Sequence, residues 1–348
     1  MSTENREESM REAALRLATE EENKRKTDPN ETHERSIIIL GSKGVGKTTM
    51  VYRFLEKEER PKPTVAMDYS FGRKTAKSLQ VKNIVHVWEV GHLASSLVSV
   101  AMTGSTLTHS PHHTVLLMML DLSRPGELWA SLEETLSVIR NGLRMSYDAD
   151  TIQELRERRI SDRKRDLERG VDPFPIRICI VGGRYDEFKE LDLGEKELVG
   201  KTLRAVAHSL GASLYYYSSK DKILVRRIKD LLAHHGFGSP FTEEKCADYE
   251  KPLMMPAGAD SLGRIDLQFP QNPRPSAILG SVKQIYESRS VPQISRNDEA
   301  LLEDPSNDPN FNEPIIDRLR TQREEEISVL LNDMMEGRMP KIPVPDPF

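Results

Sequence analysis

The chain has 348 residues, sets 50 Lys and Arg against 55 Asp and Glu for a formal net charge of −5, and is 37% hydrophobic. That balance excludes the basic surplus of a nucleic-acid binder, and no apolar run reaches membrane-spanning length. Two distant cysteines, Cys179 and Cys246, argue against a disulfide framework or zinc site. With a charged N-terminus that carries no secretory signal, the expectation is a soluble cytoplasmic protein without membrane insertion.

Residues 1–34 are dominated by Glu, Arg, Lys and Asn and are expected to be disordered. The apolar run 36–40 reads as a buried strand entering Gly41-Ser42-Lys43-Gly44-Val45-Gly46-Lys47-Thr48, and 49–57 reads as a helix leaving it. The loop fits the phosphate-binding pattern G-x-x-x-x-G-K-S/T at every required position. Glycines let backbone N–H groups close around an anion, and the helix N-terminus adds a favourable dipole. Lys47 reaches the outer phosphates, and Thr48 offers a hydroxyl to magnesium. The expected cradle is Gly41, Lys43, Gly44, Val45, Gly46, Lys47, Thr48 and Thr49.

Further along, 68–74 and 78–90 read as adjacent strands, 114–121 as a strongly apolar strand, and 125–143 as its helix. Residues 176–181 form another buried strand, 195–210 a helix, 213–217 a last strand and 221–235 its helix. This alternation over 35–238 predicts an α/β domain with a mostly parallel six-stranded sheet covered by helices on both faces. A charge-dense insertion at about 148–170 interleaves acids with bases and reads as a solvated helix or mobile excursion. Fourteen of the 21 prolines fall in the last third, so 239–312 reads as an extended arm with little core and 337–348 as a proline-rich tail. Between them, 313–336 partly follows a helical stripe, open to packing on the domain or docking on a partner.

A guanine-nucleotide switch needs more than a phosphate loop. Thr64 precedes the second strand and is either the sensor of a third phosphate, with a place in the magnesium shell, or a plain strand start. Ras-like GTPases carry D-x-x-G after the third strand; here the stretch is Val87-Trp88-Glu89-Val90-Gly91-His92. With Gly91 as anchor, the acid is replaced by Trp88; with Glu89 as the acid, one residue is missing. The metal's carboxylate is therefore expected to be lost or displaced, and His92 reads as a loop histidine. The base-reading N-K-x-D appears as Gly183-Arg184-Tyr185-Asp186, with only the Asp retained, and Ser218-Ser219-Lys220 resembles the small loop behind the base. Asp121 reads as a strand terminator rather than an ATPase acid, and His109, His112 and His113 as a polar loop without the partners of a metal site.

Together, the Gly41 to Thr48 loop, Lys62-Pro63-Thr64, Phe71-Gly72-Arg73, Val87-Trp88-Glu89-Val90-Gly91, Leu120-Asp121-Leu122-Ser123 and Tyr185-Asp186 resemble the dynein light intermediate chains, most closely the cytoplasmic dynein 2 branch. The resemblance runs from residue 36 to 220. It implies a Ras-like P-loop G-domain serving as a non-catalytic subunit, with GDP or GTP and magnesium as a structural plug. Implied partners are the dynein 2 heavy chain and other dynein 2 subunits, and indirectly microtubules and intraflagellar transport trains. Implied locations are the cytoplasm, cilium, ciliary base, axoneme and centrosome. Two other classes compete: a small-GTPase-like switch in traffic, opposed by the eroded acidic motif and Gly183, and a P-loop ATPase dependent on Asp121.

Overall fold

The computed structural model describes residues 34–75, 82–103, 111–162, 171–242, 244–267, 275–290 and 312–337. The expectation for residues 1–33 lies outside them. Two compact units result, Met1–Ile294 and Ser295–Phe348.

The first unit is built on strands β1 (Glu34–Gly41), β2 (Met67–Thr75), β3 (Lys82–Val90), β4 (Thr114–Asp121), β5 (Arg177–Gly183), β6 (Ser213–Tyr216) and β7 (Met254–Met255). They form one sheet in the order β2-β3-β1-β4-β5-β6-β7. All pairings are parallel except β2 with β3 and β7 with β6. The sheet thus has the order and single inverted strand of a Ras-like domain, extended by a two-residue seventh strand absent from the six-stranded expectation. β7 is too short to carry a pattern, and only its pairing with Leu214 and Tyr215 defines it.

β1 and β4 lie in the middle, covered on both faces, and this is why they read as unbroken apolar runs. Alternation divides them. Ile38, Leu40, Leu116, Met118 and Leu120 join one core, and Ile37, Ile39, Val115, Leu117 and Met119 join the other. Helices α1 (Lys47–Phe54) and α7 (Lys222–Phe237) cover the second face; α2 (Ser95–Thr103), α3 (Pro125–Ser146) and α6 (Leu193–Leu210) cover the first. Aspartates open the two long return helices: Asp192 accepts from Gly194 N and Glu195 N, and Asp221 from Ile223 N and Leu224 N. Gly211 and Gly238 close them in left-handed geometry. The charged insertion contains helix α4 (Ala149–Asp162), whose Leu155 is buried in the core.

The domain does not end near residue 238. Beyond β7, a short α8 (Leu262–Ile265) and a 15-residue α9 (Pro275–Arg289) follow, where an extended arm was expected. Ile278, Val282 and Tyr286 of α9 are at most 1% exposed and belong to the first core. The Tyr286 hydroxyl donates to the Pro125 carbonyl, and its ring packs 6.2 Å from that of Trp129. Arg204 of α6, itself buried, is held by Asp260 through two bonds of 2.7 and 2.8 Å and by the Tyr249 hydroxyl. The post-238 segment is therefore core-forming. Pro275 sits in the first turn of its helix, where its missing N–H costs nothing.

In the second unit, α10 (Pro314–Met335) is a 22-residue helix with exposed apolar side chains, supported by the pairs Arg320–Glu324 and Arg323–Glu326. Among the described residues, no helix is long and apolar enough to cross a membrane.

Candidate nucleotide-binding site

The site lies at the C-terminal ends of the parallel strands, where β1 turns into α1. Gly41, Gly44 and Gly46 have φ of +143°, +80° and +101°. At Gly41 glycine is obligatory for a second reason: a Cβ there would sit 2.2 Å from the Met119 carbonyl oxygen. A Cβ on Gly44 or Gly46 would meet nothing within 4 Å, so the loop faces open space. Lys43 and Gly44 are exposed, Val45 is buried beneath them, and Thr49 is half-buried in the first turn of α1. The N–H groups of that turn have no intrahelical acceptor and suit an anion.

Lys47 is only 5% exposed. Its ammonium donates to the Gly41 and Ser42 carbonyls at 2.7 and 2.9 Å. Burial lowers its pKa to about 8, partly opposed by the charge of Glu89. A buried ammonium held by neutral carbonyls fits a site made for anionic oxygens.

Glu89, 2% exposed, projects from β3 toward the same loop. Its Oε1 accepts from the Thr48 hydroxyl at 2.6 Å, and its Oε2 is buried without a partner. Burial raises its pKa, against the hydrogen bond from Thr48, the charge of Lys47 and a hydrogen bond from Thr64. Thr48, Thr64 and Lys47 thus converge on one carboxylate. Of the two expected outcomes, a lost or a displaced acid, the geometry is that of the displaced one: Glu89 reaches from within the strand with a side chain one methylene longer than Asp. Trp88 points into the opposite core, 4.7 Å from the Tyr69 ring. The signal was present as the single carboxylate of β3, set in its apolar second half. Its meaning required the register that sets Glu89 beside Ile39.

These oxygens fit magnesium. The Thr48 hydroxyl would be a direct ligand, and the orphaned Oε2 of Glu89 would hold a metal-bound water. Bound there, the ion would supply charge neutralisation to phosphate oxygens. The Thr64 side of the site is less adaptable. Gly91 N donates to the Ala66 carbonyl at 2.8 Å, and a Cβ on Gly91 would lie 2.1 Å from the Thr64 carbonyl oxygen. The amide that would sense a third phosphate is already used. His92 is exposed beside it.

Beyond β5 and β6, where the base-reading residues were expected, Asp186 Oδ1 accepts from Ser218 Oγ at 2.6 Å, and Oδ2 pairs with Lys220 Nζ at 2.6 Å. Burial alone would raise this carboxyl, but the bonds from Lys220 and Ser218 outweigh it and hold the pKa below the usual range. Ser218 Oγ also accepts from Lys220 N at 3.1 Å, and Ser219 is half-buried between them. The four-residue α5 (Tyr185–Phe188) carries Asp186 on a backbone turned at Arg184, φ 57°. Gly183 packs β5 onto the phosphate loop so closely that a Cβ would be 2.9 Å from the Val45 carbonyl oxygen. The asparagine of the ordinary motif does not fit there.

Asp121 does not reach the metal oxygens. Its Oδ1 accepts from Ser123 N and Oγ at 2.9 and 2.6 Å, and its Oδ2 pairs with Arg184 at 3.2 Å. Arg184 also clasps Glu187. Asp121 therefore ties the end of β4 to the loop after β5. Asp121→Ala is expected to lower unfolding free energy by about 1–3 kcal/mol through the bonds it orphans. Urea denaturation would read this; an unchanged midpoint with altered nucleotide hydrolysis would revive the ATPase reading. His112 and His113 lie in a short 3-10 turn before β4, and no group of metal-binding side chains occurs among the described residues. His109 lies outside them.

Known proteins resemble this chain in sequence and in fold. The sequence pattern described as dynein light intermediate chain (DLIC) covers residues 18–199. Cytoplasmic dynein 2 light intermediate chain 1 of Homo sapiens is 33% identical over 320 residues, spanning 86% of this chain and 88% of the human protein. That of Danio rerio is 32% identical over 327 residues, spanning 89% and 88%. In fold, the crystal structure of the dynein light intermediate chain's conserved domain aligns with a TM-score of 0.54 at 18% identity, over 79% of this chain and 99% of that one. On its sequence pattern and on its identity across most of its length, this chain belongs to the dynein light intermediate chain family.

Proposed function

We propose that the chain is the non-catalytic light intermediate chain of a cytoplasmic dynein 2 motor. In this reading its P-loop domain binds and stabilises the dynein 2 heavy chain beside the other dynein 2 subunits. The assembly then carries intraflagellar transport trains along microtubules toward the ciliary base and supports cilium formation. The likeness to dynein 2 light intermediate chains over 86% of the chain carries the proposal. The cytoplasm, ciliary base, axoneme and centrosome are the corresponding locations.

A guanine nucleotide with magnesium acts here as a structural plug. Lys47 and the α1 N-terminus hold the phosphates, Thr48 and Glu89 the metal, and Asp186 with the Ser218–Lys220 loop the base. The commitment of Gly91 N to Ala66 supports GDP over a switching GTP, because the third phosphate loses its amide. The Thr48–Glu89–Thr64 convergence is the observation favouring the second reading, a GTPase-like switch.

Purification of the tagged chain from ciliated cells, with quantitative mass spectrometry, separates the two. Stoichiometric recovery of the dynein 2 heavy chain is expected. Its absence, together with GTP turnover above solution background that Lys47→Ala abolishes, would make the switch the better reading.

A further inference from the structure

The opposite pole of the sheet, at the N-terminal ends of the parallel strands, carries charge that nothing in the nucleotide site explains. Strand alternation places Arg35 on the face of Ile37, and Arg177 on the face of Cys179, both under α7. Register brings them together: Ser36 lies beside Thr114, and Val115 beside Arg177, with His113 just before β4. The last turn of α7 adds His234 and His235, whose rings are 5.4 Å apart. Arg35 also underlies the end of this helix, since a Cβ on Gly238 would lie 3.1 Å from a guanidinium nitrogen.

What this cluster lacks, among the described residues, is a paired acid: Glu34, next to Arg35 in the chain, turns to His86 instead. Among the described residues, neither Arg35 nor Arg177 has an ion pair or side-chain hydrogen bond. The buried Nε2 of His235 is without a partner. Arg35 has its pKa lowered by burial and then by Arg177. For His113, lowered to about 4, and His235, lowered to about 3, burial acts first and every charged neighbour adding to it is a cation or another histidine. The C-terminal dipole of α7 offsets part of this charge. It does not satisfy the guanidiniums, because the carbonyls of Ala233, His234 and Phe237 already accept from Ser239 N, Gly238 N and Asn83 Nδ2. Arg35 is half-buried and Arg177 exposed; a half-buried guanidinium beside a second cation, with no paired acid among the described residues, is costly unless an anion completes it.

We infer that this pole, centred on Arg35 and Arg177, is a docking surface for a carboxylate-rich segment of a partner protein. Its occupant is an acidic segment of the heavy chain. That assignment rests on the function proposed above, whereas the acid-binding chemistry does not. Two planar guanidiniums suit carboxylates in bidentate pairs. The surface lies at the end of the sheet away from the P-loop, so heavy chain and nucleotide are held at the same time.

Two measurements test this on the full-length chain. In the first, Arg177→Glu, an exposed substitution that spares the core, and the double variant Arg35→Gln/Arg177→Glu are purified from ciliated cells. Heavy-chain recovery is expected to fall on the order of tenfold, with wild-type recovery itself decreasing as salt rises. In the second, a fluorescein-labelled Glu-rich peptide is titrated onto the purified chain, and binding is expected to weaken about tenfold in Arg177→Glu at unchanged melting temperature. Wild-type recovery that both variants retain overturns the docking surface. Peptide binding that depends on Arg177, without heavy-chain recovery by the wild type, sinks the heavy-chain assignment and leaves the acid-binding surface standing. Binding of single-stranded RNA in preference to the peptide, or of neither, overturns the inference.

Discussion

Lys47→Met is expected to make the nucleotide-free chain more stable while removing its response to nucleotide. In the wild type, burial holds the ammonium near pKa 8, against 10.5 in its unperturbed state. The unfolded chain therefore binds more protons between those values, and stability rises with pH across that window. Below pH 8 the cost is fully present, about 3 kcal/mol at roughly 1.4 kcal/mol per pKa unit. Methionine fills similar space without charge, so at pH 7 the variant should gain up to about that amount, and its stability should not rise between pH 8 and 9.5. Addition of GDP and magnesium should raise the melting temperature of the wild type, because ligand binds only the folded state. In the variant the affinity should fall about 100-fold or more, as expected when a charge-assisted phosphate contact is lost. Denaturant titrations at several pH values, each with and without nucleotide, read both effects. Equal stabilisation of wild type and variant by GDP would place the phosphates away from this loop.

The largest effect on folding is expected from α9. Ile278→Ala and Tyr286→Ala each empty a fully buried position, at about 2–5 and 3–5 kcal/mol. The two sites are two turns apart on one helix and should add to about 6 kcal/mol or more, the scale of a whole domain's stability. The double variant should lose near-ultraviolet circular dichroism and cooperative urea unfolding. Tyr286→Phe, which loses only the bond to the Pro125 carbonyl, should cost about 1 kcal/mol. A double variant that unfolds within about 1 kcal/mol of wild type would show that α9 is not part of the core.

The glycine-rich loop was legible in the sequence because everything its geometry needs is local. Gly41 to Thr48 form one turn between a strand and a helix, and spacing alone sets which groups face the anion. The same holds for Asp186 and Ser218, each placed directly after a buried strand. Glu89 was not legible in this way. Its role depends on a register that sets β3 beside β1, and on a side chain long enough to reach Thr48 without the usual spacing to Gly91. The closeness of Gly183 to Val45 is likewise a distance between two strand ends, on which neither stretch carries any mark.

The prolines show a different limit. Their density after residue 238 marks frequent breaks, and there are such breaks, but between them Ile278, Val282 and Tyr286 complete the core. Proline spacing limits how far regular structure can run; it says nothing about what the intervening pieces pack against. By itself, then, the sequence determined the alternation of strands and helices, the glycine-rich loop between β1 and α1, and the placement of Asp186 and Ser218 directly after buried strands. These follow from periodicity and near-neighbour chemistry. The tertiary structure decided where the domain ends, which carboxylate serves Thr48, and that Arg35 and Arg177 gather at one pole of the sheet with no acid paired to either among the described residues. Each of these depends on residues distant in the chain meeting across the sheet, and burial and charge act through distance in space.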